Sequence, residues 1–228
     1  MGKALFVTGT GTDIGKTYVT ALIVKKLRDS GRSSGYYKAA ISGAETDETG
    51  RLLPGDALYV KQTAQIGESP APLVSYVYPE AVSPHLAARL NHDPIRMERI
   101  DRDFALAKAS FDYLTMEGSG GIICPLRWDE EEKFGLDDMV KHLGLSVLMV
   151  AHAGLGTINA AVLTAKYLDS RRIPVKGIIL NHFHPHDIME EDNLRMIEEM
   201  TGIPVVATVR DNAKELDMAA EKLASLYE

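Results

Sequence analysis

The sequence is short of cysteine, of long apolar runs and of positive charge, and each shortage excludes a class of protein. The single cysteine, Cys124, excludes an intrachain disulfide framework and is typical of proteins from a reducing compartment. No apolar run reaches the length needed to span a bilayer, and the first residues lack the long apolar stretch and cleavage site of a secretory signal. We therefore expect a cytoplasmic protein that does not bind membranes.

Negative charge exceeds positive charge. The 25 lysines and arginines are outnumbered by 32 aspartates and glutamates, which gives a net charge of −7. A general nucleic-acid-binding surface would be basic, so no nucleic-acid partner is expected. The 228 residues suffice for one sizeable α/β domain, and we predict a single domain over residues 1–228.

Short apolar runs alternate with helical patterns along the chain. The runs lack polar alternation, which is typical of strands in a parallel sheet covered on both faces. The predicted strands are 4–8, 34–39, 113–117, 146–151, 177–181 and 205–209. The predicted helices are 17–30, 55–65, 94–110, 136–143, 157–170, 190–201 and 213–227. This alternation predicts an α/β fold of three layers with a doubly wound, mostly parallel sheet, in which ligands bind at the carboxyl ends of the strands.

A glycine-rich loop between the first strand and the first helix ends in Gly15-Lys16-Thr17. Glycines let backbone N–H groups approach phosphate oxygens, and the helix N-terminus adds positive potential. Lys16 is expected to reach the terminal phosphates, and the Thr17 hydroxyl to ligate Mg²⁺. The strict P-loop motif has glycine at position 10, where this chain has Thr10 between two glycines. The loop predicts a nucleotide site of the P-loop NTPase type.

Other segments place polar side chains at or near the ends of predicted strands. Lys38 and Ser42 follow the second strand, and a second lysine there would neutralise charge on a transferring phosphoryl group. Glu117, at the end of the third predicted strand, is a candidate Mg²⁺ anchor, and Asp56 is a further candidate. From these segments alone, Lys38 is equally well a surface lysine, and Asp56 is better explained as a first-turn helix acid.

Three remaining segments carry polar side chains whose roles the sequence leaves open. Gly156, Thr157 and Asn159 belong to a glycine-rich turn that leads into a helix, where an anion would bind, although a purely structural turn explains them nearly as well. A metal site at the three histidines at 182, 184 and 186 is not favoured. The acidic run 129–132 is interpreted as a solvated loop.

Taken together, these segments resemble the dethiobiotin synthetase family. The resemblance covers the phosphate loop 9–17, where the family reads Gly-Thr-Asp-Thr-x-Val-Gly-Lys-Thr. It continues through 35–38 with 42–43, 83–85, 117–121, 156–159, 163–165 and Asn181. Order and spacing agree up to about residue 181.

The resemblance implies an ATP-dependent enzyme of biotin synthesis. In the family, an amine of 7,8-diaminononanoate takes up CO₂ as a carbamate, ATP phosphorylates the carbamate, and the second amine closes the ureido ring. The nucleotide-binding residues implied are Thr12, Asp13, Ile14, Gly15, Lys16, Thr17, Glu117, Gly118 and Asn181, the last facing adenine. Lys16, Lys38 and Ser42 are the implied catalytic residues, with Lys38 and Ser42 contacting the carbamate and the phosphoryl group. Thr17, Asp56 and Glu117 would hold Mg²⁺.

The resemblance also implies a homodimer with active sites at its interface. Gly156, Thr157 and Asn159 of the partner subunit would then hold the substrate carboxylate. The chain departs from the family at Gly11, where the family has Asp, and at Asp13, where Glu is frequent. It departs again over 205–210, a region that contacts the base in the family, so the sequence leaves the preference for ATP over other nucleotides open.

One alternative shares the expected fold. Regulatory P-loop ATPases of the chromosome-partitioning and nitrogenase-iron-protein type have the loop Lys-Gly-Gly-x-Gly-Lys-Thr, whose first lysine reaches across a dimer. Gly11 stands at that position here, so the defining residue of this alternative is missing.

Overall fold

A seven-stranded parallel sheet is the centre of the computed structural model, which describes residues 2–69 and 71–228. The strands are β1 (Lys3–Gly9), β2 (Ser34–Ser42), β3 (Glu45–Thr46), β4 (Leu52–Leu53), β5 (Val74–Tyr78), β6 (Tyr113–Gly121), β7 (Pro125–Trp128), β8 (Lys133–Gly135), β9 (Val147–His152), β10 (Val175–Asn181) and β11 (Val205–Val209). The helices are α1 (Lys16–Asp29), α2 (Gly55–Thr63), α3 (Pro84–Leu90), α4 (Met97–Ser110), α5 (Leu136–His142), α6 (Thr157–Ser170), α7 (Ile188–Thr201) and α8 (Ala220–Ala224). The sheet order is β11-β10-β9-β1-β6-β2-β5, and β3-β4 and β7-β8 form separate hairpins. None of the helices in the described ranges has both the length and the apolar composition of a membrane span.

Helices cover both faces of the sheet because its strands carry apolar side chains on both faces. On β1, Leu5 and Val7 pack in a cluster with α1 and the C-terminal segment. Ala4 and Phe6 point the other way, into a cluster with α3, α4 and α5. All but the last of the nine residues of β2 are buried, as a doubly covered strand requires. The predicted three-layer α/β architecture with a parallel sheet is confirmed.

The six predicted strands are confirmed, but the edge strand β5 and the short helix α3 were not predicted. Residues 71–87 are expected from the sequence to be partly extended, but the prolines at 72 and 79 that flank β5 kept it from being predicted as a strand. Helix α3 has only seven residues, too few for a clear period, and it takes Pro84 in its first turn. The predicted helix at 94–110 begins only at Met97. The two segments read as irregular, 42–54 and 125–135, contain the hairpins.

The prediction of a long final helix over 213–227 is wrong. Only Ala220–Ala224 is helical. Leu216, Met218, Leu223 and Leu226 are nevertheless buried in the cluster beneath α1. Their spacing therefore indicates burial, which an irregular segment supplies as well as a helix does.

Strand order brings three predicted site segments to one edge of the sheet. β6 lies between β1 and β2, and both pairings are parallel. The register aligns Val7 with Glu117 and Lys38 with Glu117, so these residues lie in one row across three strands. The loop after β1, the end of β2 and the end of β6 consequently share the carboxyl edge of the sheet, where α/β folds bind ligands.

Candidate functional site

The phosphate loop connects the end of β1 to the start of α1. Gly15 precedes α1 with a φ of 81°, a left-handed conformation that favours glycine. Asn181, at the end of β10, donates from Nδ2 to the Ile14 carbonyl oxygen at 2.9 Å. A Cβ at Gly15 would lie 2.2 Å from that Nδ2, so only glycine fits there without displacing Asn181. The loop is thus held against β10.

A cleft of about 470 Å³ opens beside this loop. All of the predicted catalytic and metal-binding side chains line it, together with three residues that were not predicted. Its lining is Thr12, Asp13, Gly15, Lys16, Thr17, Lys38, Ile41, Ser42, Asp56, Glu117, Ser119 and Gly120. The structure therefore gathers the sequence-predicted groups of β1, β2, α2 and β6 around one space.

Lys16 is buried in the first turn of α1 and lies along the cleft. Its Nζ donates to the Gly11 carbonyl oxygen at 2.9 Å. Burial and the positive charge of Lys38 lower the pKa of Lys16 from its ordinary value. Lys16 therefore has only a neutral oxygen as its hydrogen-bond acceptor, and an anionic phosphate would be a better one.

Lys38 bridges two carboxylates. Its Nζ donates to Asp56 Oδ2 at 2.5 Å and to Glu117 Oε1 at 2.8 Å. Burial alone would lower the pKa of Lys38, but the Glu117 and Asp56 carboxylates outweigh burial and raise it. The lysine is therefore a fixed cation, which excludes the alternative of a free surface lysine. Asp56 in turn has a partner beyond its own helix.

The donor set beside Lys38 fits Mg²⁺. Thr17 Oγ1 donates to Glu117 Oε1 at 2.8 Å, so the hydroxyl, Glu117 and Asp56 present hard oxygen atoms close together. Glu117 Oε2 is buried and has no hydrogen-bond partner. Within the described ranges, no group of three or more His, Cys, Asp or Glu side chains forms a metal site of its own. Mg²⁺ sites in proteins are commonly built from one or two carboxylates together with phosphate oxygens.

The three unpredicted lining residues come from segments that the sequence had marked. Ile41 belongs to the segment between Lys38 and Ser42 on β2, and Ser119 and Gly120 follow Glu117 on β6. Ser119 Oγ donates to the Ala40 carbonyl oxygen at 3.0 Å, which joins the ends of β6 and β2. Their position near the ends of predicted strands was the sequence feature that could have identified them as site residues.

Gly118 supports the cleft from the other face of the sheet. A Cβ at Gly118 would lie 2.7 Å from the Phe6 ring, so glycine allows β6 to approach the neighbouring side chains closely. Neither Gly118, Ile14 nor Asn181 lines the cleft itself.

Gly156, Thr157 and Asn159 lie outside the cleft of their own chain. Gly156 takes a φ of 88° before the first turn of α6, and Asn159 is exposed. The Thr157 hydroxyl is buried without a hydrogen-bond partner. The turn therefore has the predicted form and lies away from the cleft.

The histidine segment is held by carboxylates. His182 Nδ1 is paired with Asp211 at 2.5 Å, and His184 pairs with Glu190 and Asp211 at 3.1 and 3.2 Å. The acidic run 129–132 forms the exposed turn between β7 and β8, as predicted for a solvated loop. Three of its carboxylates accept from the buried Arg127 guanidinium of β7, namely Asp129, Glu131 and Glu132.

Comparison with known proteins finds a matching family model and full-length relatives that share one name. A family model described as "AAA domain" matches residues 3–217. The ATP-dependent dethiobiotin synthetase BioD of Clostridium botulinum is 49% identical over 228 residues, covering 100% of this chain and 99% of the relative. The enzyme of the same name from Brachyspira hyodysenteriae is 46% identical and covers 100% of both chains.

Solved structures with the same fold are more distant in sequence. The cell division ATPase MinD of Pyrococcus furiosus superposes with a TM-score of 0.54 at 20% identity, covering 99% of this chain and 98% of that one. A ParA family ATPase from Chlorobium tepidum gives a TM-score of 0.53 at 15% identity, with coverage of 99% and 90%. At these identities the likeness establishes the fold, and the predicted P-loop NTPase type of α/β sheet is confirmed.

Proposed function

Because the chain belongs to the family of ATP-dependent dethiobiotin synthetases, we propose that it makes dethiobiotin from 7,8-diaminononanoate, CO₂ and ATP. One amine adds to CO₂ and forms a carbamate. A carbamate oxygen attacks the γ-phosphorus, the bond to ADP breaks, and a carbamic-phosphate mixed anhydride results. The second amine then attacks the carbonyl carbon and expels inorganic phosphate, which closes the ureido ring.

The observation that carries this proposal is the position of Lys38. A cation that touches both Asp56 and Glu117 beside a phosphate loop supplies a second positive group in the cleft, in addition to Lys16. Binding a nucleotide alone does not need this second lysine. Phosphoryl transfer to a negatively charged carbamate does, because charge builds up between donor and acceptor.

The phosphates would lie on the loop before α1. Backbone N–H groups over 12–17 and the N-terminus of α1 supply the positive potential, and Lys16 would exchange the Gly11 carbonyl for a phosphate oxygen. Asp13 has a φ of 57°, which shapes the loop irrespective of any role for its side chain. Gly118 and Asn181 would support the nucleotide through the loop and β10, with Asn181 beside the base.

Mg²⁺ would be held by Thr17, Asp56 and Glu117. When bound, the ion neutralises charge on the β- and γ-phosphates. Glu117 Oε1, which accepts from the Thr17 hydroxyl, would be the carboxylate oxygen nearest the ion. Lys38 and Ser42 would position the carbamate from the opposite side, and neither needs to move a proton to do so.

We propose that two copies of the chain form the active unit. Four large apolar side chains are exposed near α6 and the β6–β7 connection: Leu155 just before α6 at 92%, Ile123 between β6 and β7 at 70%, Leu163 on α6 at 59% and Trp128 at the end of β7 at 58%. Ile123 and Trp128 line one depression together with Tyr167, one turn after Leu163. A second copy seated on this face would cover the patch and bring Gly156, Thr157 and Asn159 of the partner subunit toward the carboxylate of the substrate.

Two further expectations accompany the proposal. The free, buried Cys124 is compatible with the cytoplasm, and burial raises its pKa to about 11, so it is no nucleophile here. Residues 1–228 are proposed to form a single domain, because the central sheet collects strands from Lys3–Gly9 through Val205–Val209.

A turnover assay tests the function directly. ADP release should require Mg²⁺, bicarbonate and 7,8-diaminononanoate together, and dethiobiotin should accumulate in equal amount. Parallel reactions with CTP and GTP measure the nucleotide preference, which the altered 205–210 segment leaves open. ATP hydrolysis at the same rate without diamine and bicarbonate would contradict the proposal and favour an ATPase of the chromosome-partitioning type.

A further inference from the structure

Tyr36 is a buried side chain beside the cleft for which the proposed mechanism has no use. It lies on β2, two residues before Lys38, and is 0% exposed. Its ring packs in an apolar cluster with Ala21 of α1 and with Ala57 and Val60 of α2. Its hydroxyl is buried and has no hydrogen-bond partner, which is costly for a polar group in apolar surroundings.

Strand geometry directs Tyr36 toward Glu117. Residues two apart in a strand share a face, so Tyr36 faces the same side as Lys38, whose Nζ touches Glu117. The register pairs Tyr36 with Thr115, but the Thr115 hydroxyl is already bonded to the Tyr227 hydroxyl at 2.6 Å. The next side chain of β6 on this face, toward the cleft, is Glu117.

Glu117 has an oxygen that matches this donor. Its Oε1 accepts from both Thr17 and Lys38, at 2.8 Å each, whereas its Oε2 is buried and accepts from no group. Burial together with the Glu117 and Asp56 carboxylates raises the pKa of Tyr36 well above its ordinary value, so the hydroxyl keeps its proton. A buried donor and a buried acceptor, both unsatisfied, thus lie on the same face of adjacent strands.

We propose that Tyr36 is a positioning residue whose hydroxyl donates to Glu117 Oε2 and thereby fixes Oε1 toward Thr17 and the Mg²⁺ site. The proposal deepens the proposed function, because it rests on Glu117 as a metal ligand. Tyr36 itself touches neither metal nor substrate. A carboxylate held from behind in this way binds a metal ion more tightly, because its orientation is set before the ion arrives.

The test compares Tyr36→Phe with Tyr37→Phe. Tyr37 is the adjacent residue on the same strand, is equally buried, and bonds Ser75 at 2.6 Å on the opposite face of the sheet. Mg²⁺ is titrated calorimetrically into each protein saturated with ADP. We expect the Mg²⁺ dissociation constant to rise about 10-fold in Y36F and to stay unchanged in Y37F. ADP affinity without Mg²⁺ should change in neither variant.

A measurement without Mg²⁺ tests the Tyr36–Glu117 hydrogen bond independently of the magnesium site. Thermal unfolding of wild type, Y36F, E117Q and the double variant forms a double-mutant cycle. Y36F should lower the midpoint by several degrees in the wild-type background and by much less in the E117Q background. If wild type binds no Mg²⁺, the metal site fails, and this cycle still decides the role of Tyr36.

Two results would overturn the role of Tyr36. One is a Y36F protein with unchanged Mg²⁺ affinity and an unchanged or raised unfolding midpoint, as expected when an orphaned buried hydroxyl is removed. The other is an additive cycle with E117Q. Thr20 on α1 carries a second buried, unpartnered hydroxyl, and non-additivity with Thr20→Val in place of E117Q would assign the hydrogen bond to that residue.

Discussion

At the residue scale, ordinary polar side chains in the cleft fix one another's positions through linked hydrogen bonds. Lys38 donates to both Asp56 and Glu117, and Glu117 in turn accepts from Thr17. Each side chain therefore fixes the next. Removal of one member leaves a buried charge or a buried acceptor without its partner, which is costly in a site with little water.

Lys38→Ala should abolish turnover and leave nucleotide binding largely intact. The lysine would meet the carbamate and the phosphoryl group, whereas the phosphate loop holds the nucleotide without it. We expect the rate constant for ADP release to fall at least about 100-fold, with a much smaller change in ATP affinity by calorimetry. Lys61→Ala, which breaks an exposed pair with Glu68, is the control. Full turnover in K38A would remove Lys38 from the mechanism.

Gly15→Ala should cost more stability than Gly31→Ala. Both glycines have a φ near 80°, at 81° and 82°, so both variants incur left-handed strain of about 1–2 kcal/mol. Only at Gly15 would the new Cβ also displace Asn181, while Gly31 has open space around it. Urea unfolding should show a further loss of about 1 kcal/mol in G15A, together with weaker ATP binding. Equal losses in the two variants would contradict the Asn181 contact.

The cleft residues that belong to recognisable motifs could be predicted from the sequence, and a residue outside any motif could not. Lys16, Lys38 and Glu117 follow strands in patterns that can be recognised from the chain alone. The sequence shows only that Tyr36 lies two residues before Lys38 and therefore on the same face of β2. This suggests a contact with Glu117 only once β6 is known to be the neighbouring strand. Pairing between distant strands is set by tertiary packing, which a local pattern does not encode.

At the element scale, two connections are held by charge. The turn of the β7–β8 hairpin is folded around the buried Arg127, which donates to three carboxylates. The segment after β10 is held by His184 between Glu190 and Asp211. Neither set of ion pairs was predicted, because charge pairing across a turn leaves no periodic signal in the sequence.

Arg127→Ala should loosen the β7–β8 hairpin. The three carboxylates would then repel one another without a cation, and amide hydrogen exchange over 125–135 should accelerate. A loss of about 1 kcal/mol would lower the unfolding midpoint by about 2–4 °C in a chain of this size. Arg195→Ala, which breaks exposed pairs on α7, should shift the midpoint by much less. Unchanged exchange in the hairpin of R127A would refute this account.

The histidine segment should make stability depend on pH. Hydrogen bonds to Glu190 and then Asp211 raise the pKa of His184 above 6.5. Its charged pairs therefore stabilise the fold fully below about pH 6.5 and are lost as the pH rises through the raised value. The unfolding midpoint of wild type, minus that of His184→Gln, should fall as the pH rises from about 6.5 through the raised pKa of His184. A difference that rises over this range would reverse the sign and disprove the pairing.

Apolar spacing predicted the elements better than their lengths. The six central strands were recognised because burial on both faces demands continuous apolar runs. The segment 213–227 carried a helical spacing, yet only Ala220–Ala224 is helical, because Leu216 and Met218 reach the core from an irregular backbone. Apolar spacing indicates which side chains are buried. Whether the backbone is helical is decided by the tertiary contacts of those side chains.

At the scale of the whole molecule, the exposed apolar face on α6 is the feature most in need of a partner. Its side chains come from two regions of the chain, so no local pattern revealed the patch. The sequence suggested a dimer solely through the family, and the same face carries the turn at Gly156. Association and substrate binding are thus proposed to use one surface.

Leu163→Asp should convert a dimer into a monomer. A carboxylate in the middle of a buried apolar patch is costly to desolvate, so sedimentation should show half the mass. Turnover should fall steeply, while ADP binding to the phosphate loop persists. Leu106→Asp, at a comparably exposed leucine on α4, is the matched control and should leave the mass unchanged. A wild-type protein that sediments as a monomer at micromolar concentration would contradict the dimer.

The central sheet also bears on how the protein avoids aggregation. Its two edge strands, β5 and β11, have five residues each, whereas the interior strands have six to nine. Open edges are templates for pairing with other chains, and short edges are one way in which natural proteins limit that hazard. Short edge strands offer other chains few backbone groups with which to extend the sheet. Association between chains therefore depends on side-chain contacts, which can be selective.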